Sequence, residues 1–258
     1  VPSEHSVAEA ALAAGLAGPA RYRAEVGSTN TELLRLAREG APAWSVFVAD
    51  HQTAGRGRLG RAWVAPPGSS VMVSLLLRPR LTPAEAPLIT LAAGACMALA
   101  VEEACGVDVR CKWPNDLLAG GRKLGGILTE AEVEGNRLSF VVVGSGVNVT
   151  QEAKDLPADV AATSVAMEGG RPDPDALLRV YLARFRSDFD PDRDGFREGT
   201  LEAYRDRCDT LGRRVAATTT TGSRVEGHAE SIGDRGQLVV RSEGVRAEVS
   251  FGEIEHLR

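Results

Sequence analysis

The spacing of apolar and polar positions divides the chain into two regions. Helical and strand-like periods follow one another up to about residue 207, and from Leu211 onward short alternating strands are separated by Gly turns. In the first region, 7–14 predicts a short helix and R-Y-R-A-E-V (21–26) a strand. G-S-T-N-T-E-L-L-R-L-A-R-E-G then carries a helical period, with a capping box from Thr29 to Glu32 and a stop at Gly40, so a helix N-terminus is expected at Ser28–Asn30. Strands are predicted at 44–50 and 70–79. Between them lies a loop rich in Gly and Arg. Thr82, Pro83 and Glu85 form a second capping box that opens a long apolar helix to about Cys105.

After that helix the pattern predicts a strand at 107–112, a W-P-N-D corner and a hairpin around Gly120–Gly121. Two long strands joined at E-G-N-R (134–137) follow, and the second ends F-V-V-V-G-S-G-V-N-V. A Pro/Asp-rich connection (150–174) leads to amphipathic helices at about 175–189 and 194–207. The expected class is α+β: a mixed β-sheet with flanking helices over 1–207, then a small β-barrel domain over 208–258.

Composition narrows the function classes. The 258 residues are 43% hydrophobic and 25% charged, an ordinary globular balance. The longest apolar run, Ala86 to Val101, is broken by Pro87 and Thr90 and falls short of the roughly 18–20 residues of a membrane span. The N-terminus has no basic segment of the secretory kind, and the four cysteines (96, 105, 111, 208) contain no C-x-x-C pair. Reduced core cysteines in a cytoplasmic protein are therefore expected. A net charge of −5 gives no general attraction to DNA or an anionic membrane.

Two local departures from that average point to chemistry. From His51 to Ala84 there is no acidic residue, and Arg56, Arg58 and Arg61 are interleaved with Gly55, Gly57 and Gly60. This suggests a loop that holds a phosphate or a carboxylate. Of the 30 basic residues only Lys112, Lys123 and Lys154 are lysines, and two of these flank the W-P-N-D corner, where a compact point charge is expected to matter. G-R-G-R-L-G (55–60) formally fits a dinucleotide fingerprint, but Pro66, Pro67 and Gly68 preclude the helix that should follow. No Walker loop, G-x-S-x-G elbow or metal-ligand spacing of histidines is present. Ser28, Thr29 and Asn30 are placed to meet an acceptor at a helix N-terminus, although plain capping explains them equally well. Trp63 is either core or a stacking surface, Asn115 and Asp116 are either turn formers or ligands, and Asn148 stands where a side chain can bond a base.

In combination, G-S-T-N (27–30), H-Q-T-A-G-R-G-R-L-G-R-A-W (51–63), K-W-P-N-D-L-L (112–118), R-K-L-G-G-I-L-T-E (122–130) and G-S-G-V-N-V (144–149) resemble the biotin protein ligases. The resemblance implies a catalytic domain like those of the class II synthetases with a C-terminal Src-homology-3-like barrel. It also implies a two-step reaction in the cytoplasm. Biotin and ATP, with Mg²⁺, give biotinyl-5′-AMP, and the biotinyl group then passes to one lysine of a biotin carboxyl carrier domain of a carboxylase. Matched by position, Lys123 and Arg58 are the implied catalytic residues. Ser28, Thr29, Asn30, Gln52, Arg56, Gly57, Arg58, Lys123 and Gly126 are implied at biotin. Gly55, Arg61, Trp63, Lys112, Asn115, Asp116 and Asn148 are implied at ATP, and the metal ligands stay unassigned.

The glycine-rich loop is expected to close over the ligand and shield a hydrolysable anhydride. Two positions depart from the family pattern: Gly125 where Ala is frequent, which suggests added backbone freedom, and Ser145 where an apolar residue is usual. The 27 residues before Ser28 are too few for a winged helix, so a monofunctional ligase is expected rather than a biotin-responsive DNA-binding regulator. A lipoate ligase is the alternative within enzymes, but no R-R-x-S-G-G-G-type segment is found. Both a monomer and a homodimer are compatible with the sequence.

Overall fold

The computed structural model describes residues 2–219, 222–242, 244–250 and 252–257. Its larger sheet is built from β1 (Ala20–Val26), β2 (Ser45–Gln52), β3 (Ser70–Leu77), β4 (Arg110–Lys112), β5 (Asp116–Ala119), β6 (Arg122–Glu134) and β7 (Arg137–Asn148). The strands lie in the order β1-β2-β3-β7-β6-β5-β4. β1 and β2 pair in parallel and every other pair is antiparallel, so the sheet is mixed, as the sequence predicts.

Strand alternation explains where the core ends and the site begins. On one face Val71, Val73, Leu75 and Leu77 of β3 join Val141, Val143 and Val147 of β7 in the main core. This face packs against α3 (Ala86–Cys105) and α4 (Pro174–Asp188). On the opposite face Leu76, Phe140 and Val142 pack with Phe47 and with Leu33 and Leu36 of α2 (Thr29–Arg38). That second face gives way to small and polar residues further along, apart from Met72: Met72 and Ser74 on β3, and Gly144, Gly146 and Asn148 on β7 (the register pairs Ser74 with Gly144 and Met72 with Gly146). α2 covers one half of this face and leaves the other half as the floor of a cleft.

The helix starts follow local chemistry. Thr82 and Glu85 form the expected capping box ahead of α3. The predicted Thr29–Glu32 box does not form: Ser28 is the N-cap residue and makes no side-chain capping bond, while Thr29 lies inside α2 with its hydroxyl turned to Gln52 and Ser74. The segment Pro83–Cys105 is long and apolar enough to cross a membrane on length and composition (mean hydropathy 1.7), which the sequence reading had excluded. Two-thirds burial inside the protein accounts for its apolar character, since a helix surrounded by core has no polar face to present. All four cysteines are buried and unbonded, as expected.

Beyond α1 (Glu4–Ala13) and α5 (Phe196–Arg207), the chain ends in a second, five-stranded antiparallel sheet. It comprises β8 (Arg214–Thr219), β9 (Arg224–Ile232), β10 (Leu238–Ser242), β11 (Val245–Val249) and β12 (Gly252–His256), in the order β11-β10-β9-β8-β12. Val215, Ala217, Ile232, Leu238 and Val240 join the main core, and buried Trp113 donates its indole N–H to the Gly236 carbonyl at 2.9 Å. These contacts hold β8 and β12 against the open half of the large sheet.

Candidate active site

The cleft between the two sheets encloses about 460 Å³. Its wall contains every residue implied at biotin or ATP except Gly55; Gly60 and Lys154 also lie outside it. Gly55 acts one step removed: its carbonyl accepts the Trp63 N–H at 2.9 Å, closing the base of the arginine loop, and Gly57 N–H bonds the Arg61 carbonyl at 2.7 Å nearer the tip. The flexible-looking segment is therefore a small hairpin.

At one end of the cleft, the Gln52 side-chain carbonyl accepts both the backbone N–H (2.8 Å) and the hydroxyl (3.1 Å) of Thr29. Asn30 donates to the Leu128 carbonyl (3.1 Å) and to Glu130 (2.8 Å), while its own carbonyl lies 2.6 Å from Ser74 Oγ. These three side chains are held before any ligand arrives, and buried Ser28 keeps an uncommitted hydroxyl in the wall. A Cβ at Gly144 would meet Asn30 Oδ1 at 2.2 Å, and one at Gly146 would meet the Trp63 ring at 2.9 Å. The G-S-G of β7 thus exists so that an amide and an indole can lie directly on the strand. Ser145 between them faces the core and bonds the Tyr181 hydroxyl at 2.8 Å.

At the other end sits Lys123, 2.7 Å from Asp116. Regular alternation along β6 would turn Lys123 away from Gly126 and Leu128. A bulge corrects this: Leu117 pairs with Gly125 but Leu118 with Lys123, so Leu124 drops into the core and Lys123 joins the cleft face. The freedom expected of Gly125 is absent; a Cβ there would meet the Gly146 carbonyl oxygen at 2.4 Å, so close backbone approach is what glycine provides. Gly126 faces the ion pair: a Cβ there would lie 3.5 Å from Asp116 Oδ1 and 3.8 Å from the Lys123 stem, in ordinary contact. Asn115 donates to the Ile127 carbonyl at 3.1 Å, which fixes the W-P-N-D corner, with its cis Trp113–Pro114 bond, against β6.

The arginines are more committed than the sequence suggests. Arg56 forms a two-pronged pair with Glu130 (2.9 and 2.8 Å), and Arg61 pairs with Glu253 of β12. Arg58 instead donates to two neutral acceptors, Asn115 Oδ1 and the Gly252 carbonyl, both at 2.9 Å. Burial pushes its guanidinium below the usual range, with Asp116 opposing the shift and Arg61 adding to it; a guanidinium stays charged regardless. Lys112 makes no ion pair among the described residues. Arg58 and Lys112 are thus the cleft cations not neutralised by a carboxylate. Trp63 also leaves its buried indole N–H without a partner, a donor free for a ligand.

Sequence reasoning missed several participants: Glu130, which anchors both Asn30 and Arg56; Ser74; Glu253; and Gln151. Glu130, Gly144 and Gly146 lie within segments already recognised as motifs, so their signal was present. Ser74, Glu253 and Gln151 carried none, because only packing brings Glu253 into the wall and sets Ser74 and Gln151 behind Asn30 and Asn148.

The fold that carries this cleft, a mixed sheet followed by a second small sheet, has known counterparts. Residues 23–148 match the biotin/lipoate A/B protein ligase family, and residues 210–257 match the biotin protein ligase C terminal domain. The bifunctional ligase/repressor BirA of Bacillus subtilis is 35% identical over 232 residues, covering 87% of this chain and 70% of that protein. The biotin--[acetyl-CoA-carboxylase] ligase of Mycobacterium tuberculosis is 36% identical over 241 residues, covering 91% of this chain and 88% of that one. The biotin protein ligase of Aquifex aeolicus, solved with biotin and ATP, superposes with a TM-score of 0.72 at 26% identity, covering 93% and 99% of the two chains. The chain belongs to the biotin/lipoate A/B protein ligase family. Its relatives and its C-terminal match place it among the biotin protein ligases of that family.

Proposed function

We propose that the cleft joins biotin to ATP and then transfers the biotinyl group to a lysine of a biotin carboxyl carrier domain in a carboxylase. The observation that carries this reading is the convergence of Lys123, Arg58 and Lys112 in one cavity with the pre-set Thr29–Asn30–Gln52 cluster. In the first step a biotin carboxylate oxygen attacks the α-phosphorus, the bond to the β-phosphate oxygen breaks, and pyrophosphate leaves. In the second, the carrier amine attacks the acyl carbon, the acyl–oxygen bond of the anhydride breaks, AMP leaves, and the amine gives up a proton.

Two anions must approach each other against their repulsion. Lys123 and Arg58 supply fixed positive charge where both meet, and Lys112 faces the phosphates. Ser28, Thr29, Asn30, Gln52, Arg56, Gly57 and Gly126 take biotin, while Gly55, Arg61, Trp63, Asn115, Asp116 and Asn148 serve the nucleotide. The Arg56–Glu130 and Arg61–Glu253 pairs make these two arginines part of the hairpin's fastening.

Among the described residues no group of three His, Cys, Asp or Glu side chains converges on a point. This fits a Mg²⁺ carried by the phosphates, with Asp116, which pairs with Lys123, as a carboxylate in the same wall. Such an ion would neutralise phosphate charge. We also divide the chain into a catalytic domain (1–207) and a small domain (208–258). The reaction is placed in the cytoplasm, a reading supported by the four unbonded buried cysteines. Exchange of labelled pyrophosphate into ATP should depend on biotin and not on lipoate. Lipoate-dependent exchange at comparable rate would overturn the substrate assignment.

A further inference from the structure

We propose that Gln151 is a positioning residue that locks the Asn148 amide in the polarity its contact with the Thr163 carbonyl selects, and so holds the edge of a nucleobase that the cleft accepts. The inference rests on the reading that Asn148 serves the nucleotide.

The polarity follows from a backbone group outward. The Thr163 carbonyl can only accept, and it lies 3.0 Å from the Asn148 side-chain nitrogen, so that end of the amide is the N–H₂. Asn148 Oδ1 must then point the other way, where the Gln151 amide nitrogen donates to it at 3.1 Å. The same Gln151 nitrogen donates to Ser70 Oγ at 2.6 Å. Gln151 is 1% exposed and Asn148 6%, so neither amide can rotate into water to relax this arrangement. Gln151 even leaves its own Oε1 buried without a partner. A buried amide that uses its donor end twice and its acceptor end not at all is oriented for that donor end.

Asn148 therefore has one carboxamide hydrogen left over, on the nitrogen that also bonds Thr163. It presents a donor to the cleft and matches a ring nitrogen that accepts. The backbone reinforces this: the Gln151 carbonyl accepts the Ser164 hydroxyl (2.6 Å), and Val165 N–H bonds the Asn148 carbonyl (3.1 Å). Thr163 N–H in turn bonds the Lys123 carbonyl at 2.9 Å, so one connection carries both the base-facing amide and the lysine strand.

The test uses the full-length enzyme, Gln151→Met (similar shape, no donor) and Gln151→Glu (an acceptor opposite Asn148 Oδ1). KM for biotin, KM for ATP and the ratio of kcat/KM for ATP over its 1-deaza, 3-deaza and 7-deaza analogues are measured. The parent should discriminate against one of the three analogues, the one lacking the accepting nitrogen. Both variants should raise KM for ATP about tenfold, leave KM for biotin within about twofold, and shrink that ratio toward unity. A ratio that stays at the parental value, whether or not overall activity falls, overturns the proposal, because a purely structural role lowers activity on all nucleotides alike. Asn148→Ala separates the two readings: if it leaves the ratio and KM for ATP unchanged, the nucleotide assignment of Asn148 fails. If it abolishes discrimination while the Gln151 variants keep it, only the role of Gln151 fails.

Discussion

Replacing Arg58 by Ala should unfasten the arginine hairpin. Its guanidinium reaches across to Asn115 Oδ1 and to the Gly252 carbonyl, 194 residues away, and so ties the hairpin to both walls of the cleft. Each bond from a charged donor is worth roughly 1.5–3 kcal/mol when shielded. The side chain is half-buried and regains water when the hairpin opens, so about 2 kcal/mol is a reasonable total for the two bonds. At about 1.4 kcal/mol per factor of ten, the equilibrium for opening rises about thirtyfold. The fastening through Arg56–Glu130 and Arg61–Glu253 remains, so the loop should loosen and not detach. Hydrogen exchange reads this directly. The Gly57 and Trp63 amides, bonded to the Arg61 and Gly55 carbonyls, should exchange about thirtyfold faster, while amides of β3 keep their protection. Release of bound biotinyl-5′-AMP should quicken by a similar factor, with affinity for biotin alone changing much less. Arg58→Lys, able to make one of the two bonds, should fall between. Unchanged protection at Gly57 and Trp63 in the Ala variant would refute the fastening role.

Three further outcomes are expected. Lys123→Ala should lower adenylate formation by at least about a hundredfold, the scale of one preorganised charge, while isothermal titration still detects biotin; near-parental adenylation would remove the lysine from the chemistry. Gly146→Ala places a methyl group 2.9 Å from the Trp63 ring. It should cost about 1–3 kcal/mol of stability and shift Trp63 fluorescence together with KM for ATP; a silent spectrum would show that the indole does not rest on β7. His256 on β12 sits 3.2 Å from Thr210 Oγ1, and its pKa is lowered by burial first and then by Lys112, with Asp209 opposing and Arg213 adding. The unfolded chain then binds the proton more readily. The contribution of neutral His256 is complete above about pH 6.5 and fades as pH falls through the lower native value, so the urea midpoint should drop below pH 6.5 more steeply in the parent than in His256→Asn. Equal slopes would contradict it.

The elements themselves were legible because their causes are local. The Thr82–Glu85 box sets a helix start within three residues, and the run S-V-M-V-S-L-L-L reads as a strand covered on both faces. The motif segments likewise marked about two thirds of the wall of the cleft; the rest comes chiefly from β3, from residues 156–162 and from the second sheet. The Thr29–Glu32 box failed for a reason outside its window: Gln52 and Ser74 compete for the Thr29 hydroxyl.

Sequence by itself therefore determined the succession of elements, the mixed sheet and the cationic, glycine-rich character of the site. Tertiary structure decided which charges are available there. Arg56 is matched by Glu130 at a separation of 74 residues, Arg61 by Glu253, and Arg58 by no carboxylate. It also decided the face on which Lys123 stands, through a one-residue bulge at Leu124 that strict alternation denies, and the direction of the Asn148 amide, through the Thr163 carbonyl. The physical reason is the range of each interaction. Backbone propensity and side-chain period act over three or four residues and leave a trace in the sequence, whereas a side-chain pair forms only after register and loop closure have brought distant positions together.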